Sequence, residues 1–143
     1  MHIRQQMEQL CACFCRQEEL YREWAKAHSM SYNEVMTLYA LDLGRSYTQK
    51  QICEEWLIPK QTLNTIVKDL ERKGCVCMES LPGKREKTVR FTERGHAYAG
   101  GHLRELYQME ERAMAALDGD MRRAVVEGAQ RFTEAFAQEV RRG

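Results

Sequence analysis

Between positions 60 and 90 the sequence gathers side chains able to read or grip a nucleic-acid duplex. Gln61, Asn64, Thr65, Lys68 and Arg72 recur at helical spacing, so at about 100° per residue they fall on one face that carries amides and bases and no acid. Such a helix fits a major groove, where Gln and Asn can pair two-pronged with adenine and Lys can donate to guanine. Arg72 is placed for phosphate, and Lys60 and Thr62 in the first turn join the candidate set. Further on, Lys84 and Arg85 lie within Leu81-Pro82-Gly83-Lys84-Arg85-Glu86, with Lys87 and Arg90 beyond. A narrow basic tip of this kind suits a minor groove or the phosphate backbone.

A net charge of +1 weighs against a nucleic-acid partner until its distribution is considered. Positions 60–94 hold nine Lys/Arg against five Asp/Glu, so the positive charge is confined to one segment of an otherwise acidic chain. With 143 residues, 43% hydrophobic and 30% charged, the chain is expected to fold as one ordered domain. No run approaches a membrane span and residues 1–10 are too polar for a signal peptide, so a cytoplasmic protein is expected, with no membrane partner.

The six cysteines are therefore expected as reduced thiols, mostly buried and structural. Cys11, Cys13 and Cys15 invite a redox reading, but only Cys11 and Cys15 share a helix face. Cys75 and Cys77, two apart on an expected strand, would share a face, yet the usual zinc-knuckle spacing is absent and neither metal nor cofactor is implied. No nucleophile motif or glycine-rich phosphate loop points to an enzyme. Gly100, Gly101 and Gly128 fall inside expected helices, where a close helix approach or a bend would account for them.

The elements that must position these groups follow from periodicity. A helix over about 3–27 carries Met7, Leu10, Phe14, Tyr21 and Trp24. Ser31 with Glu34 and Thr48 with Gln51 are capping-box pairs that start a second and a short third helix. Leu57-Ile58-Pro59 makes a tight turn into a fourth helix, about 60–73, whose apolar face is Leu63, Ile66, Val67 and Leu70 and whose stop is Gly74. Period two then marks a hairpin, and two long helices, 92–117 and 118–140, break at Asp118-Gly119-Asp120. The fold class expected is mainly α with a small β-hairpin wing.

The segment 60–74, the wing after it and Val89-Arg90-Phe91-Thr92-Glu93-Arg94-Gly95 resemble the MarR family of winged helix-turn-helix transcriptional regulators, as do Tyr21-Arg22-Glu23-Trp24-Ala25 and Ser31-Tyr32-Asn33-Glu34. The resemblance runs along almost the whole chain. It implies one MarR-like domain, with dimerisation helices at about 1–30 and 93–143 around a DNA-binding lobe at about 31–92. It also implies a homodimer on a two-fold DNA site, and a small-molecule effector near Trp24, His28, Tyr32 and Tyr39. Two features depart from the family pattern: the tip lacks the Asp that commonly holds the wing arginines, and Pro59 replaces a Ser or Thr cap. The function expected is a sequence-specific repressor on a pseudo-palindromic duplex, modulated by a ligand or by thiol oxidation. A winged-helix interaction module without DNA binding, or a thiol- or metal-dependent sensor, stays open as an alternative.

Overall fold

The structure is a computed structural model that describes residues 1–143. Its elements are α1 (Ile3–Ala27), α2 (Tyr32–Asp42), β1 (Tyr47–Thr48), α3 (Gln49–Trp56), α4 (Lys60–Arg72), β2 (Val76–Ser80), β3 (Lys87–Phe91), α5 (Glu93–Ala115) and α6 (Gly119–Arg142). The chain divides into two compact units, Met1–Leu103 and Arg104–Gly143. No helix is long and apolar enough to cross a membrane.

Local chemistry sets most of the boundaries in the first unit. Ser31 and Glu34 close a capping box on α2, and Thr48 and Gln51 do the same on α3, each satisfying amides the helix start leaves open. At the other end of α3, Leu57 turns the chain in the left-handed region at φ 53° while 85% exposed. Pro59 precedes α4 with no side-chain cap, and the helix begins on the bond from the Leu63 N–H to the Pro59 carbonyl, 2.9 Å. Gly74, at φ 76°, ends the turn that follows.

The sheet has the order β1-β3-β2, all antiparallel. The expected hairpin is β2 and β3, with Val76 opposite Phe91 and Ser80 opposite Lys87. The third strand was not foreseen: Tyr47 and Thr48 pair with Val89 and Thr88 across some forty residues, a pairing too short and too distant to leave a local pattern. It ties the base of the wing to the start of α3. The core beneath is made by Val35, Leu38, Leu41, Tyr47, Ile52, Ile58, Leu63, Val67, Leu70, Val76 and Val89, all buried.

Elsewhere long helices bury little. In α1 only Trp24 and Ala25 are buried, and Phe14 and Leu20 are each 47% exposed. In the second unit, α6 starts on an Asp118 cap to the Met121 N–H and buries no residue; Met121, Val125, Phe136 and Val140 are exposed, and Phe132 stacks on Phe136 at 5.7 Å.

Within the single chain, Gly95 is the glycine that a close approach demands. A Cβ there would stand 1.9 Å from the Cys75 carbonyl oxygen, while at Gly100, Gly101 and Gly128 nothing lies within 4 Å. Gly95→Ala should therefore cost about 3 kcal/mol, read by urea denaturation, since the obstacle is backbone. Leu57→Asn should instead add about 0.5–1 kcal/mol in the same assay, because the left-handed strain falls while an exposed side chain loses no packing. Equal midpoints for these variants and the parent chain would contradict both assignments.

Candidate nucleic-acid interface

The amphipathic pattern of α4 fixes which of its faces meets solvent. Leu63, Val67 and Leu70 are 0%, 2% and 4% exposed, and the helix is seated against α2, α3 and β2. Gln61, Asn64, Thr65, Lys68 and Arg72 stand exposed on the other side, and Thr62 is half-buried. The Thr65 hydroxyl donates to the Gln61 carbonyl at 3.0 Å, so it is held along its own helix.

This polar face forms a ridge between two clefts. On the wing side, a cleft of about 970 Å³ is lined by Lys50, Lys60, Gln61, Asn64, Arg85 and Lys87 among others. On the α2 side, a cleft of about 450 Å³ is lined by Asn64, Thr65, Lys68 and Arg72 together with Met30, Leu38 and Tyr98. Asn64 borders both. The fold thus brings the helix and wing candidates to one surface, apart from Thr62, Lys84 and Arg90, which line neither cleft. Lys50 and Gln49, at the start of α3, belong to the same surface and were missed, because on their own helix they are ordinary solvated residues.

The acid-free reading of the α4 face needs correction. Asp69 pairs with Arg72 and, at 3.0 Å, with Lys73, because spacings of three and four residues bring successive turns together. Arg90 is likewise engaged, by Glu79 on β2 at 3.1 Å, a diagonal reach across the ladder in which Glu79 faces Thr88. Lys60, Lys68, Lys84, Arg85 and Lys87 have no acid within ion-pair distance. The Lys73 ammonium also sits 5.5 Å from the centre of the Tyr98 ring, linking the end of α4 to α5.

The groups considered for sensing lie elsewhere. Trp24 stacks on His28 at 4.0 Å, Tyr39 tilts against Trp56 at 5.7 Å, and the Arg22 guanidinium lies 4.2 Å from the centre of the Tyr32 ring. None of Trp24, His28, Tyr32 and Tyr39 lines either cleft. The Trp24 indole N–H is buried without an acceptor. Cys11, Cys13 and Cys15 are exposed in the single chain rather than buried, because α1 packs only through its last turns. Cys75 is buried just ahead of β2 while Cys77 is exposed, so the two thiols do not share an environment as the strand reading expected. No three His, Cys, Asp or Glu side chains are grouped to hold a metal ion.

A buried helix-turn-helix with its second helix exposed, followed by a sheet-borne wing, defines the winged-helix class of protein. Residues 28–85 match a model of the MarR family, and over nearly its whole length the chain shares the fold of solved winged-helix proteins of that family. It is similar to a MarR family regulator from Neisseria meningitidis, with 23% identity over 96% of this chain and 97% of that one and a TM-score of 0.77. The MarR of Staphylococcus aureus, solved with salicylate and kanamycin, shares 17% identity over 95% and 93% of the chains with a TM-score of 0.70. The PcaV transcriptional regulator of Streptomyces coelicolor, solved with its natural ligand, shares 17% over 86% and 90% with a TM-score of 0.62. No curated protein matches the chain in sequence.

Hydrogen bonds from Lys73 and Arg72 hold the Asp69 carboxyl below the usual carboxylate range. Its folded value is the depressed one, so the pair persists above it and is lost as pH falls through it. Both partners are exposed, so the consequence for stability is small. In a carbon-detected NMR titration Asp69 should protonate at lower pH than in a Lys73→Met/Arg72→Met variant; coincident curves would remove the pairing.

Proposed function

We propose that the protein is a homodimeric, sequence-specific DNA-binding repressor. The observation that carries this reading is the convergence of Gln61, Asn64 and Lys60 of α4 with Arg85 and Lys87 of the wing around one open groove, free of internal pairing among its bases. In this reading α4 enters the major groove, with Gln61 and Asn64 reading base edges and Thr62, Thr65 and Lys68 beside them. Lys84 and Arg85 reach the adjacent minor groove or backbone, and Arg72, Lys87 and Arg90 grip phosphates. A second copy covers the apolar faces of α1 and of α6 and places the two recognition helices about 34 Å apart, so the operator is a pseudo-palindrome. Acting on the chromosome, it works in the cytoplasm.

Modulation by a small molecule fits the α2-side cleft better than the Trp24 to Tyr39 cluster. That cleft has room of about 450 Å³ and shares Asn64, Thr65, Lys68 and Arg72 with the DNA-reading face, whereas the aromatic rings of the cluster are already packed on protein partners. Thiol oxidation has its candidates in Cys11 and Cys15, both exposed on α1.

Selection from a randomised duplex library at two salt concentrations tests the reading. A palindromic site should be enriched, binding should weaken steeply with salt, and Lys84→Ala/Arg85→Ala should bind all sequences more weakly. Gln61→Ala and Asn64→Ala should each relax the preference at particular positions, by about 1–3 kcal/mol where a two-pronged pair is lost. Absence of enrichment and of binding at low salt, under reducing and oxidising conditions alike, would make this surface a scaffold face of a protein-interaction module.

A further inference from the structure

Asp69 sits where helix energetics do not favour it. It lies in the last turns of α4, at the negative end of the helix dipole, and aspartate is a poor helix former. Its two ion pairs are exposed, a setting in which such pairs contribute little to stability. What they do is hold two of the three bases at the end of α4, Arg72 and Lys73 but not Lys68. Glu79 does the same for Arg90 on the wing strands. Phosphate contact by these bases must therefore displace a carboxylate or share the base with it, and in either case the carboxylate stands beside the phosphate as a like charge.

Resting on the DNA-binding reading, we propose that Asp69 and Glu79 are specificity-determining counter-charges. They hold down the sequence-independent attraction of the surface for phosphate, leaving the unpaired Lys60, Lys68, Arg85 and Lys87, with Gln61 and Asn64, to decide where it binds. Sequence-independent affinity grows with the number of phosphates neutralised, and each base kept on an internal acid subtracts from that number.

The test compares the full-length parent, Asp69→Asn, Glu79→Gln and the double variant on the selected operator and on a scrambled duplex, from low to high salt. Each neutral variant should bind the scrambled duplex several-fold more tightly at low salt, gain more there than on the operator, and steepen the salt dependence by about one phosphate's contribution. Asp69→Glu, which keeps the charge, should behave as the parent. Unchanged slopes, or weaker binding of both duplexes by the neutral variants, would overturn the proposal and leave the acids as positioning residues for their arginines. If the parent chain binds neither duplex, it is the DNA-binding reading that fails.

Discussion

The seating of one helix governs the rest of this molecule. Leu63, Val67 and Leu70 are almost completely buried, and together they fix the rotation of α4 about its axis. A slip of one residue would turn the helix by about 100°, placing Asn64, Lys68 and Glu71 against the core. Burying charges and amides without partners costs several kcal/mol each, so only one rotation is available. The polar ridge of Gln61, Asn64, Thr65, Lys68 and Arg72 is thus the complement of the core, and its orientation needs no interactions of its own. Two supports keep the helix there: the turn strained at Leu57 that sets its entry, and the strand pairing of Tyr47 with Val89 that joins the wing to the start of α3.

Electrostatics then refine what packing has placed. The bases on this surface fall into two groups, those with an internal acid and those without. Arg72, Lys73 and Arg90 belong to the first; Lys60, Lys68, Lys84, Arg85 and Lys87 belong to the second. Screening makes every one of these exposed pairs weak as a source of stability. The same pairs matter for an approaching polyanion, because each decides whether a base offers its charge outright or only after exchange.

Much of this was legible in the sequence because it is local. Both capping boxes, the apolar stripe of α4, the stop at Gly74 and the helix break at Asp118 rest on groups close together in the chain, and the structure has each of them where the sequence puts it. The glycines show the limit: Gly100 and Gly101 stand out in a helical window and have open space within the single chain, while Gly95 looks unremarkable and lies against the Cys75 carbonyl. That contact joins residues twenty apart through the path of the chain, which no periodicity reports. The pairing of Tyr47 with Val89 was hidden for the same reason. Asp69 is a different case, since its spacing to Arg72 and Lys73 was visible all along; grouping residues by helix face set it apart from a base its carboxylate can reach around the helix.

The apolar stripes that remain uncovered bear on what the molecule needs. Residues of α6 are arranged as an amphipathic helix, with Met121, Val125, Phe136 and Val140 along one side, yet none of its residues is buried. A helix of that kind draws most of its stability from the surface its apolar face packs on, since propensity alone leaves isolated helices marginal in water. The early turns of α1, with Phe14 and Leu20 half exposed, raise the same requirement independently. Under the dimer reading a single second copy meets both, and the groove between α4 and the wing then occurs twice under one symmetry axis. On the proposed DNA-binding reading, one copy with two amides and a few unpaired lysines and arginines would discriminate only a short stretch of bases, and doubling it through helices that otherwise lack a core would lengthen the stretch that is read.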